Sequence, residues 1–445
     1  MNPPSTLRPA PGRNRAEPLP ELELIKIVGF VMVLACHFWV QHALPALMGV
    51  TTRVPGMGID ASTPARIDLS AWFPTFTDHP VIYGAFNLLF GFGYQGVGVF
   101  FVLTGFGLTL SALKKPRFGP WAYLVGRFER VYLPYLFLLA AYTAFNWWQG
   151  GRSLLDLRAL TLMDTGIPYA WFMLPLLQFY LLFPLLFLLV RSGRVTVNQL
   201  MAGALVANFL WAFAILFAAY NFLPWLAIPG ACPPKGFLLF RLAEPVLGMW
   251  LAHLYHHRRD QFEALFHPRR WPLFAGLYAI GCVFSLAETN FTWGRWLVPL
   301  GQSATNFLVA AGLFGVLLIG SRRVVAAVGN FLPLSRYGFE FYLIQAIPLT
   351  GAAWLLPHLE LTPLLLLGVL ALLIVVNFTL AIAMQHFSQA VLAVTYYRLR
   401  QWLQRVNAAA PAAPAAPSAG AQSFPAARGT TWPLLTRSPS KAPFA

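Results

Sequence analysis

Lys26-Ile-Val-Gly-Phe-Val-Met-Val-Leu-Ala-Cys-His37-Phe-Trp39 is apolar enough to sit in lipid, yet it carries a lysine at one end and a histidine eleven positions later. Extended on both sides it becomes a span over about 24–43, close to the ~20 residues a helix needs to cross a hydrocarbon core of about 30 Å. Runs of this kind recur along the whole chain. Of 445 residues, 58% are hydrophobic and 10% charged, where soluble domains carry roughly 25% charge. The composition therefore excludes a soluble enzyme and predicts an all-α, polytopic membrane bundle of about ten transmembrane helices. The spans fall near 24–43, 82–111, 129–149, 168–190, 199–223, 236–257, 271–287, 296–320, 336–357 and 363–390. The second is long for one crossing, so it is either tilted or broken at Gly91-Phe-Gly93.

Residues 1–20 and the Ala/Pro-rich stretch 407–445 offer almost nothing large and apolar to bury, so both are expected to be disordered. Between them, 21–395 reads as one membrane domain. The first 22 residues contain Pro and Arg and are not apolar, so a cleavable leader is not expected.

The net charge of +16 invites a nucleic-acid reading, but its distribution answers otherwise. With the N-terminus inside, 24 of the 31 Lys and Arg fall on one side of the ten spans. Seven fall on the other: Arg53, Arg66, Arg152, Arg158, Lys235, Arg241 and Arg295. That is the positive-inside bias, and it places both termini in the cytoplasm. No nucleic-acid partner is expected. The opposite loops carry Asp60, Asp68, Asp78, Asp156, Asp164, Glu288 and Glu360. The longest loop, about 44–81, is either an acceptor-facing surface or a plain connector. Cys36, Cys232 and Cys282 lie too far apart in sequence for a CxxC motif, so neither a disulfide framework nor a metal site is expected.

Ionisable side chains in a membrane span need a reason. Eleven residues make about three helical turns and about 16 Å of rise, so Lys26 and His37 share a face running from the membrane rim inward. Two readings stand: Lys26 snorkels while His37 bonds another helix, or both face something that enters from the cytoplasm. Cys36 points away from His37 and reads as packing. Arg127 and Arg130, at i and i+3, share a helix face. Two guanidiniums there suit either phosphate groups of a ligand or lipid headgroups. Arg241–Glu244 and Arg336–Glu340 read as local ion pairs. His253, His256, His257 and His386 read as interfacial. Gly96, Gly98, Gly105 and Gly107 predict close helix approach.

Five segments, taken in order, resemble the integral-membrane acyltransferase family 3. They are Lys26 to His37, where the family has Arg and then His; Gln95-Gly-Val-Gly-Val-Phe-Phe-Val-Leu-Thr104-Gly-Phe; Arg127 and Arg130 before Tyr132-Leu-Pro134; Trp171-Phe-Met-Leu-Pro-Leu-Leu-Gln178-Phe-Tyr180-Leu-Leu-Phe-Pro184; and Ser335-Arg-Tyr-Gly-Phe-Glu340-Phe-Tyr342-Leu-Ile-Gln345. The departures are Lys26 for arginine, Thr104 for serine, Gln345 where many members have histidine, and no paired glutamates in the fourth span. Some members carry a further hydrolase-like domain after the bundle. This sequence has no room for one, so a separate accessory extracytoplasmic protein is expected if acceptor delivery needs it.

The resemblance implies transfer of an acyl group, often acetyl, from cytoplasmic acyl-CoA as substrate to a carbohydrate hydroxyl, with no bound cofactor. It casts His37 and Lys26 as the catalytic pair and Arg127 and Arg130 as contacts for the coenzyme-A phosphates. A preference for Arg over Lys leans towards a bacterial inner membrane. Two other classes remain open: a glycan transporter or flippase, for which internal repeats and paired broken helices would be expected, and a membrane scaffold or sensor.

Overall fold

The computed structural model describes residues 19–47, 79–148, 172–219, 238–290, 294–328, 334 and 336–409. The expectations for residues 1–18, for the 48–78 part of the long loop with Asp60, Asp68 and Asp78, for Asp156 and Asp164, for Cys232, and for the tail beyond 409 lie outside them.

All described elements are helical. In chain order they are α1 (Pro20–Phe38), a π-turn (Trp39–Ala43), α2 (Leu44–Leu47), α3 (Pro80–Gly91), a 3₁₀ turn (Phe92–Gln95), α4 (Gly96–Leu113), α5 (Pro120–Arg127), a second π-turn (Phe128–Tyr132) and α6 (Leu133–Trp148). Then come α7 (Met173–Arg191), α8 (Val197–Ala219), a 3₁₀ turn (Leu238–Phe240), α9 (Ala243–His257), α10 (Arg259–Leu265), a 3₁₀ turn (Pro268–Arg270) and α11 (Trp271–Asn290). The chain continues through α12 (Gly294–Val328), α13 (Gly338–Ile344), α14 (Ala346–Leu355), a 3₁₀ turn (Leu356–His358) and α15 (Pro363–Ala409).

Among the described residues seven helices are long and apolar enough to cross a membrane, or eight if α13 and α14, bent by 41° at Gln345, count as one span. Each of the ten expected spans has a helical counterpart. Two fall short as regular helices: α6 has 16 residues and α9 has 15. At about 1.5 Å per residue they reach about 22–24 Å. In both, an irregular turn takes up residues that the apolar pattern assigned to the span. The last helix runs to Ala409, three residues into the expected tail, because alanine favours helix until Pro411 removes an N–H donor. The chain divides into Met1–Ala390 and Val391–Ala445; the described part of the second unit is the helical stretch Val391–Ala409.

The second span runs continuously over Val81–Leu113, tightening from α-helix into the 3₁₀ turn just after Gly91 rather than breaking. Glycine is required there: a Cβ on Gly93 would lie 2.1 Å from the Met32 carbonyl oxygen of α1. α4 then presses against α9. A Cβ on Gly105 would lie 1.8 Å from the Pro245 carbonyl oxygen, and one on Gly248 would lie 2.0 Å from that of Val102. Gly107 takes no part in this, since a Cβ there meets nothing within 4 Å.

Phe30 of α1 stacks on Phe100 of α4 at 4.3 Å and packs on Phe341 of α13 at 5.8 Å, which ties the first helix to the middle of the bundle. The outward faces are apolar: Leu181 and Leu185 on α7, Phe209 and Leu210 on α8, Ile280 and Phe284 on α11, Leu372 and Val375 on α15 are exposed. That inverts the rule for a soluble fold and suits hydrocarbon as solvent.

Candidate functional site

α1 starts at Pro20, whose missing N–H is an orphan at that position anyway, and Glu21 and Glu23 sit in its first turn, where acidic groups complement the helix dipole. Lys26 is half-buried and bonded to Glu23, its Nζ donating to Oε1 at 2.9 Å and Oε2 at 3.1 Å. Three turns on, His37 is buried, in the last turn of α1.

The helix then widens into the π-turn, which places His42 within electrostatic range of His37. Both imidazoles are buried. Trp39, wholly buried between them in sequence, donates from Nε1 to Asn87 Oδ1 at 3.2 Å and packs against Tyr83, Phe86 and Phe90 of α3. The π-turn is thus held by α3. His42 was missed from sequence because five positions do not share a face on a regular α-helix; one i→i+5 turn changes that, and such turns concentrate at functional sites.

Cys36 packs as expected, its Sγ pointing at the Gly91 carbonyl oxygen at 3.7 Å. Tyr342 of α13 lies in electrostatic range of Cys36 and of Arg241, and faces Gln345 at the bend. Asn377 of α15 holds α13 by donating to the Phe341 carbonyl at 2.7 Å. Residues from the first, sixth and ninth expected spans therefore converge one position away from His37.

Arg241 forms the ion pair expected with Glu244, Nη2 to Oε1 at 2.8 Å and Nε to Oε2 at 3.0 Å. It is not a loop charge, however. Both partners are fully buried, the guanidinium lies 5.3 Å from the Phe101 ring, and a Cβ on Gly98 would come within 3.6 Å of Glu244 Oε1. The charge count from sequence put Arg241 with the opposite loops, whereas it lies in the turn between Leu238–Phe240 and α9, inside the expected span 236–257. The other expected pair is not formed: Arg336 instead stacks on the Tyr337 ring at 4.7 Å and donates to its hydroxyl.

Arg127 closes α5, half-buried, with its guanidinium 5.6 Å from the Tyr123 ring and 5.5 Å from that of Tyr180 on α7. Burial pushes the Tyr123 phenol up, against the opposing pull of Arg127, so it stays neutral beside the cation. Among the described residues no carboxylate pairs with Arg127. Tyr180 is in turn hydrogen-bonded to Thr104 of α4, and Gln178 accepts from the Leu238 N–H at 2.8 Å. Arg130 does not repeat this setting. The π-turn Phe128–Tyr132 intervenes, so three positions no longer complete the arc they would on an α-helix, and Arg130 is exposed. α4 joins the two halves of the expected site, holding α1 through Phe100 and the Arg127 cage through Thr104.

Among the described residues no three His, Cys, Asp or Glu are placed to hold a metal ion. The arrangement offers two buried imidazoles and, reached through α4 one turn beyond Phe100, a cation with no carboxylate partner among the described residues. The acyltransferase domain of the acyltransferase 3 type matches residues 19–384. No curated protein and no solved structure matches the chain.

Proposed function

The chain belongs to the acyltransferase 3 family and is a multi-pass membrane acyltransferase; on that premise we propose that it moves an acyl group, acetyl in the simplest case, from acyl-CoA to a hydroxyl of an extracytoplasmic carbohydrate or polysaccharide. Its place in this reading is a bacterial inner membrane, with both termini in the cytoplasm where the donor is found. The observation that carries it is the family match over residues 19–384, which includes every residue given a role below.

His37 acts as the base. A neutral imidazole keeps one ring nitrogen as an acceptor, which suits it to take a proton from a hydroxyl. It takes the proton of the acceptor hydroxyl as the oxygen attacks the thioester carbonyl; the C–O bond forms, the C–S bond breaks, and the thiolate of coenzyme A leaves and recovers that proton. His37 acting as a transient acyl carrier is the variant of this step. His42, across the π-turn, orients the imidazole of His37. Lys26 exchanges Glu23 for an anionic part of the donor. Arg127 and Arg130 take the coenzyme-A phosphates, Arg127 from a cage that leaves its charge uncancelled.

His37→Ala, assayed in membranes with labelled acetyl-CoA and an acceptor glycan at matched protein level, is expected to lower transfer about 10²–10⁴-fold. Undiminished transfer would remove His37 from the chemistry.

A further inference from the structure

Four arginines gather where α11 begins and α12 ends: Arg269, Arg270, Arg322 and Arg323. One acidic residue nearby, Glu263 of α10, is already engaged by Arg322 and by Arg259, each at 2.8 Å. Arg269 and Arg323 have no carboxylate partner among the described residues. Between these two lies a cavity of about 450 Å³, floored by Trp271, Pro272, Ile319 and Gly320. It opens outward: a Cβ on Gly320 would meet nothing within 4 Å.

The position of the cavity matters as much as its charge. It sits at the start of the candidate span Pro268–Ala287 and near the end of the neighbouring span Ser303–Ala327. In a membrane that level is the headgroup layer, where Trp is at home. Along α11 from the Pro272 side of the cavity, Ala279 and Val283 are both exposed. They follow Pro272 by seven and eleven positions and so share its face, and this apolar stripe leads away from the two cations into the hydrocarbon. Free phosphate would use the arginines and leave the stripe idle; a phospholipid would use both.

We propose that this cavity binds an anionic phospholipid, its headgroup phosphate held by Arg269 and Arg323 with the Trp271 indole beside it, and an acyl chain lying along Pro272, Ala279 and Val283. Arginine suits the task because its planar fork meets phosphate oxygens in pairs, and basic clefts between membrane helices are known headgroup sites. Occupation would fasten the α11–α12 hairpin at its open end. The site is separate from the His37 and Arg127 regions and does not depend on their roles.

The test is binding and thermal unfolding of the full chain in detergent, titrated with mixed micelles of phosphatidylglycerol, of phosphatidylcholine, or with inorganic phosphate alone. Phosphatidylglycerol is expected to bind and raise Tm, with neither other addition doing so. The Arg269→Gln/Arg323→Gln variant should bind phosphatidylglycerol about 30-fold more weakly and lose the rise, while its Tm in phosphatidylcholine stays that of the parent. Gly320→Leu keeps both charges and fills the cavity, and should also lose the rise; it serves if the double variant folds poorly. Arg194→Gln, an exposed arginine elsewhere, should keep it. An equal rise in the Gln and Leu variants, an equal loss in Arg194→Gln, or a full effect from phosphate alone would each overturn the proposal.

Discussion

Arg127 and Arg241 both lie against aromatic rings, but only one of them keeps its charge to itself. Arg241 sits on Phe101 and is bonded twice over by Glu244 in a fully buried pair, on the seam where Gly105 and Gly248 let α4 and α9 touch backbone to backbone. Arg127 is gripped by Tyr123 and Tyr180, neutral rings that hold a guanidinium in place without cancelling it. A bidentate carboxylate satisfies a cation and leaves it little to offer a ligand. A tyrosine cage orients the cation and leaves its N–H groups for a phosphate. The first arrangement suits a structural clamp and the second a binding group, although both residues looked alike as arginines flanking apolar runs.

The largest expected effect would break the clamp. Glu244→Ala strands Arg241 in the bundle, and losing one partner of a buried pair costs about 3–5 kcal/mol; unfolding in detergent should show a sharply lowered Tm. Arg241→Met/Glu244→Leu should recover most of it, because no charge is left unpaired. A double variant as unstable as the single one would mean that the pair does more than hold the seam.

The next effect sharpens the other side. Arg127→Ala with Arg130→Ala should raise the apparent donor requirement about 10- to 100-fold, the worth of a charge-assisted hydrogen bond or two, with little change in Tm. Arg127→Lys should not restore it, since an ammonium lacks the planar face that the two tyrosines grip. Donor dependence unchanged in the double variant would return both arginines to the headgroup layer.

A smaller contrast checks the seam itself. Gly105→Ala forces a methyl into the Pro245 carbonyl and should cost about 1–3 kcal/mol, whereas Gly107→Ala, two residues on in open space, should leave Tm unchanged or slightly raised. Equal effects would show that helix propensity, and not the α4–α9 approach, governs this stretch.

The membrane class, the helical segments and the irregularity at Gly91–Gly93 were legible because each rests on local quantities: run length, apolar content and glycine spacing. The Arg241–Glu244 pair was legible as a pair but not as a buried one, since an i,i+3 spacing reads the same in a loop turn and in a bundle. His42 was hidden by the assumption of a regular α-helix, and the same assumption put Arg127 and Arg130 on one face. In both places a π-turn changed the angular count, and nothing in Trp39–Ala43 or Phe128–Tyr132 announces one.

By itself the sequence determined that this is a helical membrane protein resembling the acyltransferase 3 family, with His37 on an apolar helix and arginines at the rims, because transfer free energy and helical periodicity act residue by residue. Tertiary structure alone decided which cations are cancelled, which imidazole neighbours His37, and that Arg269 and Arg323 flank one cavity. Those are matters of distance between helices, and distance is set by which side chains, or which glycines, meet at each crossing.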